Sequence, residues 1–594
     1  MTSQSSFGTI RALILPHWLP VFLGLVLLSG VSCRESAPGV RPNVLLILTD
    51  DQGYGQVGFH GNQQIRTPNL DRLAAESFEL TQFYVEPACA PTRAALLTGR
   101  YCQRTGVIST ALARALLPPE EQTIAELLSE AGYRTGLFGK YHLGDNYPLR
   151  PLDQGFQEVL RHRGGGIGFY ADPPGNGYFH PVLEHNGKPS RYPGYCTDIF
   201  TDAAIRFIED THNRPFFVYL PTNVPHNAFT RDAITVGESY VKPYLELGME
   251  KRRAETYGML TNLDENLGRL LGRLQDLGLD RNTIVIFTTD NGPKTPPGTP
   301  QQFQDTAGLR GRKNMIYEGG IRVPFLIRWP EAIEGGRKLD RIAAHIDVLP
   351  TLLEACGVSP PPGLKLDGRS LLPLLTESGK DWPDRLLFFQ FYQGETPEPN
   401  LNFAARSQRY KLVQPAGGRG QLEKDAGLEL YDMEGDAGER NNVAANHPAV
   451  VQGMHRAYLQ WHRDVYTSFD PVPPAIELGA PQQNPTVLTV FDRRGDYAEG
   501  HWRVQVAQKA TYQITLHDFG SPFRQDNRYG PIEEAGQAHV RLGEVLLSES
   551  LEKGESSFRF HPTTLEEGEG RLEAWVECPS YSVSARYVEI RRLD

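Results

Sequence analysis

Cysteine is scarce. The chain has six in 594 residues, Cys33, Cys89, Cys102, Cys196, Cys356 and Cys578, at no regular spacing. That excludes a dense disulfide scaffold and leaves most of them as isolated core thiols. Positive charge is also in deficit: Lys plus Arg number 60 against 71 Asp plus Glu, a net charge of −11. Proteins that hold polyanions by bulk attraction carry the opposite sign, so nucleic acid is excluded as a partner. The apolar run from Trp18 to Val31 is too short to span a bilayer, and internal repeats and low-complexity tracts are absent.

What is present is an ordinary globular composition, long enough for two to four domains. Its 59 glycines and 45 prolines predict many turns and irregular connections. Arg11 followed by the Trp18–Val31 run has the form of a secretion signal over residues 1–33. Gly30 and Ser32 precede Cys33, which admits two readings. One is a lipoprotein signal with a lipid anchor at Cys33, although Gly30 departs from the usual Leu, Val or Ile. The other is an ordinary signal cut after Ser32. Both predict an exported protein, periplasmic or held at the outer membrane.

From Pro42, apolar runs alternate with helical patterns. Val44–Leu48, Arg134–Phe138, Phe216–Leu220, Ile284–Phe287 and Val323–Ile327 read as strands. Helices are expected from Pro68, over Ile124–Ala131, Ile199–Glu209, Glu250–Leu277 and Val348–Ala355. Such a pattern predicts an α/β domain over 42–380, with a large mixed, mostly parallel sheet sandwiched by helices. Short strands and the helix Pro448–Val465 predict a small antiparallel-sheet subdomain over 381–469. Residues 470–485 are proline-rich and read as a linker. Period-two alternation around Trp502, Tyr512 and Leu572 predicts a C-terminal β-sandwich over 486–594.

Ligands of parallel sheets collect at the carboxyl ends of strands, where Asp50-Asp51 and Asp290-Asn291 sit. Three carboxylates and an amide are hard oxygen donors suited to Ca²⁺ or, less well, Mg²⁺. Cys89 precedes a helix begun by Pro91, with Arg93 one turn on. That placement admits two readings, a thiol activated as nucleophile or metal ligand and an isolated cysteine buried as an inert core thiol.

Cys89-Ala-Pro-Thr-Arg93 followed by Leu97-Thr-Gly-Arg100 resembles the C-x-P-x-R…L-T-G-R signature of type I sulfatases, in the alkaline phosphatase superfamily. Residues 43–55 (NVLLILTDDQGYG), Gly139–Gly144, Pro225-His226, Thr289–Gly292 and Gly311–Gly320 are similar to further family blocks, in the family order. The resemblance implies an alkaline phosphatase-like fold and a sulfuric ester hydrolase acting on an aryl or carbohydrate sulfate, a sulfated glycan included. It implies that a maturation enzyme oxidises Cys89 to Cα-formylglycine, whose hydrate attacks sulfur. Asp50, Asp51, Asp290 and Asn291, together with the residue at 89, would hold one Ca²⁺. Arg93 would anchor the hydrate, and Lys140 and Lys313 would clamp sulfate oxygens. His226 and Lys313 would protonate the leaving oxygen, and His142 would take the proton whose loss expels sulfate.

Tyr141 stands where Trp is common, and Asn227-Ala228 replaces the frequent x-Pro beside the leaving-group pocket. Glycines 164–166 and Gly168 lack the strand-then-helix setting of a dinucleotide fingerprint and predict a loop over the cleft. Two other functions compete: a phosphodiesterase or phosphonate monoester hydrolase of the same superfamily, and an inactive exported glycan-binding protein. An acidic total excludes a long polyanion groove. It leaves room for one focused positive pocket.

Overall fold

The computed structural model describes residues 41–227, 234–294, 305–376, 382–392, 397–415, 426–467, 469–495, 500–519 and 530–594. The signal segment and Cys33 lie outside the described residues.

The centre of the molecule is a sheet of eleven strands among the described residues. Its parallel heart comprises β1 (Asn43–Thr49), β3 (Arg134–Lys140), β4 (Glu158–His162), β7 (Phe216–Pro221) and β8 (Thr283–Thr289), in the order β8-β1-β7-β3-β4. β1 is buried at every residue, as its unbroken apolar run requires of a strand covered on both faces. Beyond β8 lie β10 (Phe325–Arg328), β2 (Phe78–Tyr84) and β11 (Arg337–Ala344), with the two-residue β9 (Arg322–Val323) pairing to β2. Beyond β4 lie β5 (Val182–His185) and β6 (Lys188–Arg191). β10 is antiparallel to both β8 and β2, and the hairpin β5–β6 is antiparallel to β4. The sheet is therefore mixed. The expected strand Val323–Ile327 is split into β9 and β10.

Helices cover both faces. On one face pack α1 (Pro68–Glu76), α4 (Cys196–Thr211) and α6 (Lys251–Asp276), the last a single unbroken helix. On the other pack α2 (Cys89–Thr98), α3 (Ile124–Glu130) and the helix Val348–Ala355. α3 begins with a reciprocal capping box between Thr123 and Glu126, which satisfies two otherwise orphaned donors. α2 is buried at all ten residues and stops where Gly99 turns left-handed.

A four-stranded antiparallel sheet, β12 (Leu387–Gln390), β13 (Phe403–Arg406), β14 (Tyr410–Gln414) and β15 (Glu429–Asp432), packs against the helix Pro448–Tyr466. Within the stretch read as a linker, β16 (Ile476–Leu478) pairs in parallel with β18 (Trp502–Val506) of the C-terminal sheets. Ile476 and Leu478 are buried there, so apolar alternation outweighs the surrounding prolines. Among the described residues, ten C-terminal strands pair into one continuous network around one core, in two parts joined by a shared strand. That long strand, Ser582–Arg592, begins in one part and, past Ser584, continues into the other beside β17 (Thr486–Thr489) and β19 (Ala510–Phe519).

Candidate active site

Four neighbouring strands deliver the site. Asp290 and Asn291 follow β8, Asp50 and Asp51 follow β1, His226 lies five residues past β7, and Lys140 ends β3 with His142 two residues on. Thr49 and Thr289 are paired in register, so the two acidic pairs emerge side by side. Gly139 permits β3 to close on β7, because a Cβ there would lie 2.0 Å from the Pro221 carbonyl oxygen. Cys89, first residue of α2, completes the ring.

Buried ion pairs knit these residues together. Lys140 Nζ donates to Asp50 Oδ2 at 2.7 Å. Arg93 donates through Nε and Nη2 to Asp290 Oδ2, at 3.1 and 2.7 Å, and through Nη1 to the Lys140 carbonyl at 2.7 Å. Lys313 Nζ reaches Asp51 Oδ1 at 2.5 Å, and Asn291 Nδ2 donates to the same oxygen at 2.8 Å. His226 Nε2 lies 3.7 Å from Asp51 Oδ2. His142 Nε2 is 3.3 Å from the Thr110 carbonyl. All ten sequence-predicted residues thus meet in one place.

After these bonds, Asp50 Oδ1, Asp51 Oδ2, Asn291 Oδ1 and His142 Nδ1 remain buried with no hydrogen-bond partner among the described residues. Unpaired buried carboxylate oxygens are costly unless a cation takes them. Single ligand atoms from Asp50, Cys89 and Asp290 lie within 4.8 Å of one another, as do those from Asp50, Asp51 and His226. The donor set fits a hard divalent ion.

The electrostatics follow from burial and neighbours. Burial alone would raise the Asp51 pKa, but Lys313, His226 and Lys140 together hold it well below the usual carboxylate range. Burial and the negative charge of Asp50 push Asp290 up, against Arg93 and Lys140. Lys313 rises despite burial, held charged by Asp51. Burial drives His226 down to about 3 against the pull of Asp51. It also drives His142 well below its ordinary value, helped by Lys140 and Arg93. Two readings stand for the Cys89 thiol. Its place at a helix start points to activation, yet burial raises its pKa, and the opposing charges of Lys140 and Lys313 are partly cancelled by Asp290 and Asp50. A bare thiol here is a poor nucleophile.

Residues 42–358 match the family model described as sulfatase, and residues 311–463 match that of the N-sulphoglucosamine sulphohydrolase C-terminal region. The chain belongs to the sulfatase family. Its class is therefore sulfuric ester hydrolase. This sulfatase is 34% identical to arylsulfatase A of Homo sapiens over 471 residues, covering 70% of this chain and 87% of that one. It is 32% identical to N-acetylgalactosamine-6-sulfatase of Canis lupus familiaris over 396 residues, covering 63% and 72%. Among solved structures, Ps i-CgsB aligns with a TM-score of 0.62 and 28% identity, covering 73% and 94% of the two chains. A second structure of that protein, in complex with k-i-k-neocarrahexaose, aligns with the same score at 27% identity and the same coverage.

Several features of the sulfatase site had no sequence signal. Asp51 and His142 hold left-handed backbone, at φ 66° and 63°, a strain that other residues rarely tolerate outside functional sites. Within the glycine cluster that predicted a loop over the cleft, Gly165 lies against His142, where a Cβ would sit 2.7 Å from Nε2. Phe169 of the same loop packs edge-on against His226, with ring centroids 5.2 Å apart. Phe491, from the C-terminal module, packs edge-on against His142 at 5.9 Å.

Proposed function

We propose that this sulfatase cleaves the S–O bond of a ring-borne sulfate ester, a carbohydrate sulfate foremost, after Cys89 has been converted to formylglycine by a maturation enzyme. The observation that carries the reading is the setting of Cys89. A buried thiol, whose pKa burial raises, lies among Arg93, Lys140 and Lys313 beside carboxylate oxygens that lack partners among the described residues. As a thiol it can do little. As a hydrated aldehyde it would supply the oxygen nucleophile that the surroundings are charged to receive.

Asp50, Asp51, Asp290 and Asn291 would hold one Ca²⁺, which supplies Lewis acidity and charge neutralisation at the attacked sulfate. Lys140 and Lys313 would bind sulfate oxygens as charge shifts onto them, and Arg93 would hold the residue at 89 in place. His226 and Lys313 approach Asp51 through different carboxylate oxygens and would deliver the proton to the departing ester oxygen. His142, with Nδ1 unpartnered, would accept the proton whose removal releases sulfate. The carbohydrate preference is supported by relatives named for hexosamine sulfate and by the oligosaccharide complex. Similarity to named sulfatases gives no support to the phosphoester alternative. Export, and a lipid anchor if Cys33 is lipidated, complete the proposal.

Mass spectrometry of the Cys89 peptide, after expression with a formylglycine-generating enzyme, tests the conversion directly. Inorganic sulfate released from a panel of sulfated sugars tests the reaction. An unmodified thiol throughout, with no sulfate released from any sugar or aryl ester, overturns the reading.

A further inference from the structure

The C-terminal module lies outside both family matches, which end at residues 358 and 463, yet it reaches the active site by two routes. The first is a rigid turn after β17. Asp492 Oδ2 accepts from the backbone and hydroxyl of Thr489, both at 2.9 Å, Phe491 N donates to Thr489 Oγ1 at 3.3 Å, and Trp502 Nε1 donates to the Thr489 carbonyl at 2.6 Å. This turn presents Phe491, half-buried, with its carbonyl accepting from Ala113 N at 2.8 Å. The ring stands 5.9 Å from His142 and 6.2 Å from Tyr170. The second route is the strand Ser582–Arg592. Arg586 donates to the Tyr170 and Phe169 carbonyls at 3.3 and 3.2 Å, and Tyr587 OH to the Asp172 carbonyl at 2.5 Å. The module thus supplies one aromatic ring and ties down the loop that supplies two more.

We infer that Phe491 is a specificity-determining residue of this sulfatase: with Tyr170 it forms a ring-binding wall beside His142 that selects esters whose sulfate is carried on a ring. The inference rests on the sulfatase reading and adds a substrate subsite built by the appended module. Three partly exposed aromatic side chains, Phe169, Tyr170 and Phe491, flank the two histidines, whereas the proposed anion pocket is lined by charged and polar groups. A sulfate ion needs only that pocket. A ring attached to it meets the wall, and a wall held rigid before binding loses little entropy when the ring arrives.

The test uses the full chain after maturation, with 4-nitrophenyl sulfate as ring-bearing probe and inorganic sulfate as a competitive inhibitor without a ring. Phe491→Ala and the volume-keeping Phe491→Leu are expected to raise the ratio of KM to the sulfate Ki at least fivefold. Phe491→Tyr is expected to keep the ratio within twofold of wild type. An active enzyme in which Phe491→Leu leaves the ratio unchanged overturns the inference alone, as does a rise of KM and Ki together. A wild-type enzyme inert on every sulfate ester overturns the sulfatase reading, and this inference with it. Using the leucine variant keeps the outcome readable if the alanine variant does not fold.

Discussion

Lys140 Nζ lies 2.7 Å from Asp50 Oδ2, and both side chains are fully shielded from water. They leave the sheet from β3 and β1, on either side of β7, so this one pair ties three strand ends together. Breaking a buried pair leaves an uncompensated charge, at a cost of about 3–5 kcal/mol. Lys140→Met is expected to lower stability by about that amount in chelated buffer, measured by urea unfolding. Added Ca²⁺ should narrow the deficit, because the ion would replace the lost partner of Asp50. A deficit equal in both buffers would argue against Asp50 as a ligand.

Metal removal should act on folding as well as on turnover. A ligand present at a hundred times its Kd stabilises the native state by about 2.7 kcal/mol. Chelation is expected to lower Tm, with recovery on adding Ca²⁺ and weaker recovery on adding Mg²⁺. In Asp290→Asn the recovery should need more Ca²⁺, as read by calcium titration of Tm.

Away from the site, His345 offers a clean pH probe. It is 1% exposed, and burial pushes its pKa from 6.5 down to about 3, against the pull of Asp347. The folded chain therefore binds fewer protons than the unfolded chain between these values. Its contribution is full above pH 6.5 and is lost as pH falls toward 3, amounting to about 2 kcal/mol by pH 5. His345→Gln should flatten the stability–pH slope in that window by about one proton. An unchanged slope would show that His345 is not held neutral.

A second buried ion cluster supports Lys313 from below. Lys411 on β14 bridges Glu318 at 3.0 Å and Glu439 at 2.8 Å, all three fully buried. Glu318 lies five residues after Lys313, so the small sheet anchors the segment that brings this lysine to Asp51. Lys411→Met should destabilise by about 3–5 kcal/mol and raise the Ki of inorganic sulfate. Its two abandoned carboxylates would have raised folded-state pKa values, so the deficit should be smallest at pH 5 and grow toward pH 8. A deficit independent of pH would refute the assignment.

The parts of the fold legible in the sequence were those where one force acts alone. VLLIL in β1 and IVIF in β8 are apolar because both faces of those strands are covered, and the ligands follow them directly. β2 was hidden because its sequence, FELTQFY, buries Glu79 and Gln82. These polar groups are satisfied by His60, Lys338 and Arg406, which come from distant parts of the chain. Edge strand β11 carries charge on its exposed half and so lacks a clear apolar pattern. The sequence alone leaves Cys89 open between an activated and a buried inert thiol, because helix start and nearby cations are visible in sequence, whereas desolvation is not. Phe491 carried no signal at all, since its contact with His142 exists only once the C-terminal module has docked.

The burial of Cys89 also sets an order of events. It is 3% exposed, and every other residue of α2 is buried around it. A maturation enzyme needs the peptide in its own active site, which this folded chain cannot offer. The proposed conversion of Cys89 would therefore have to act on a chain that has not yet closed its sheet. On that proposal, a copy that folds first would keep a buried thiol that the enzyme could no longer reach.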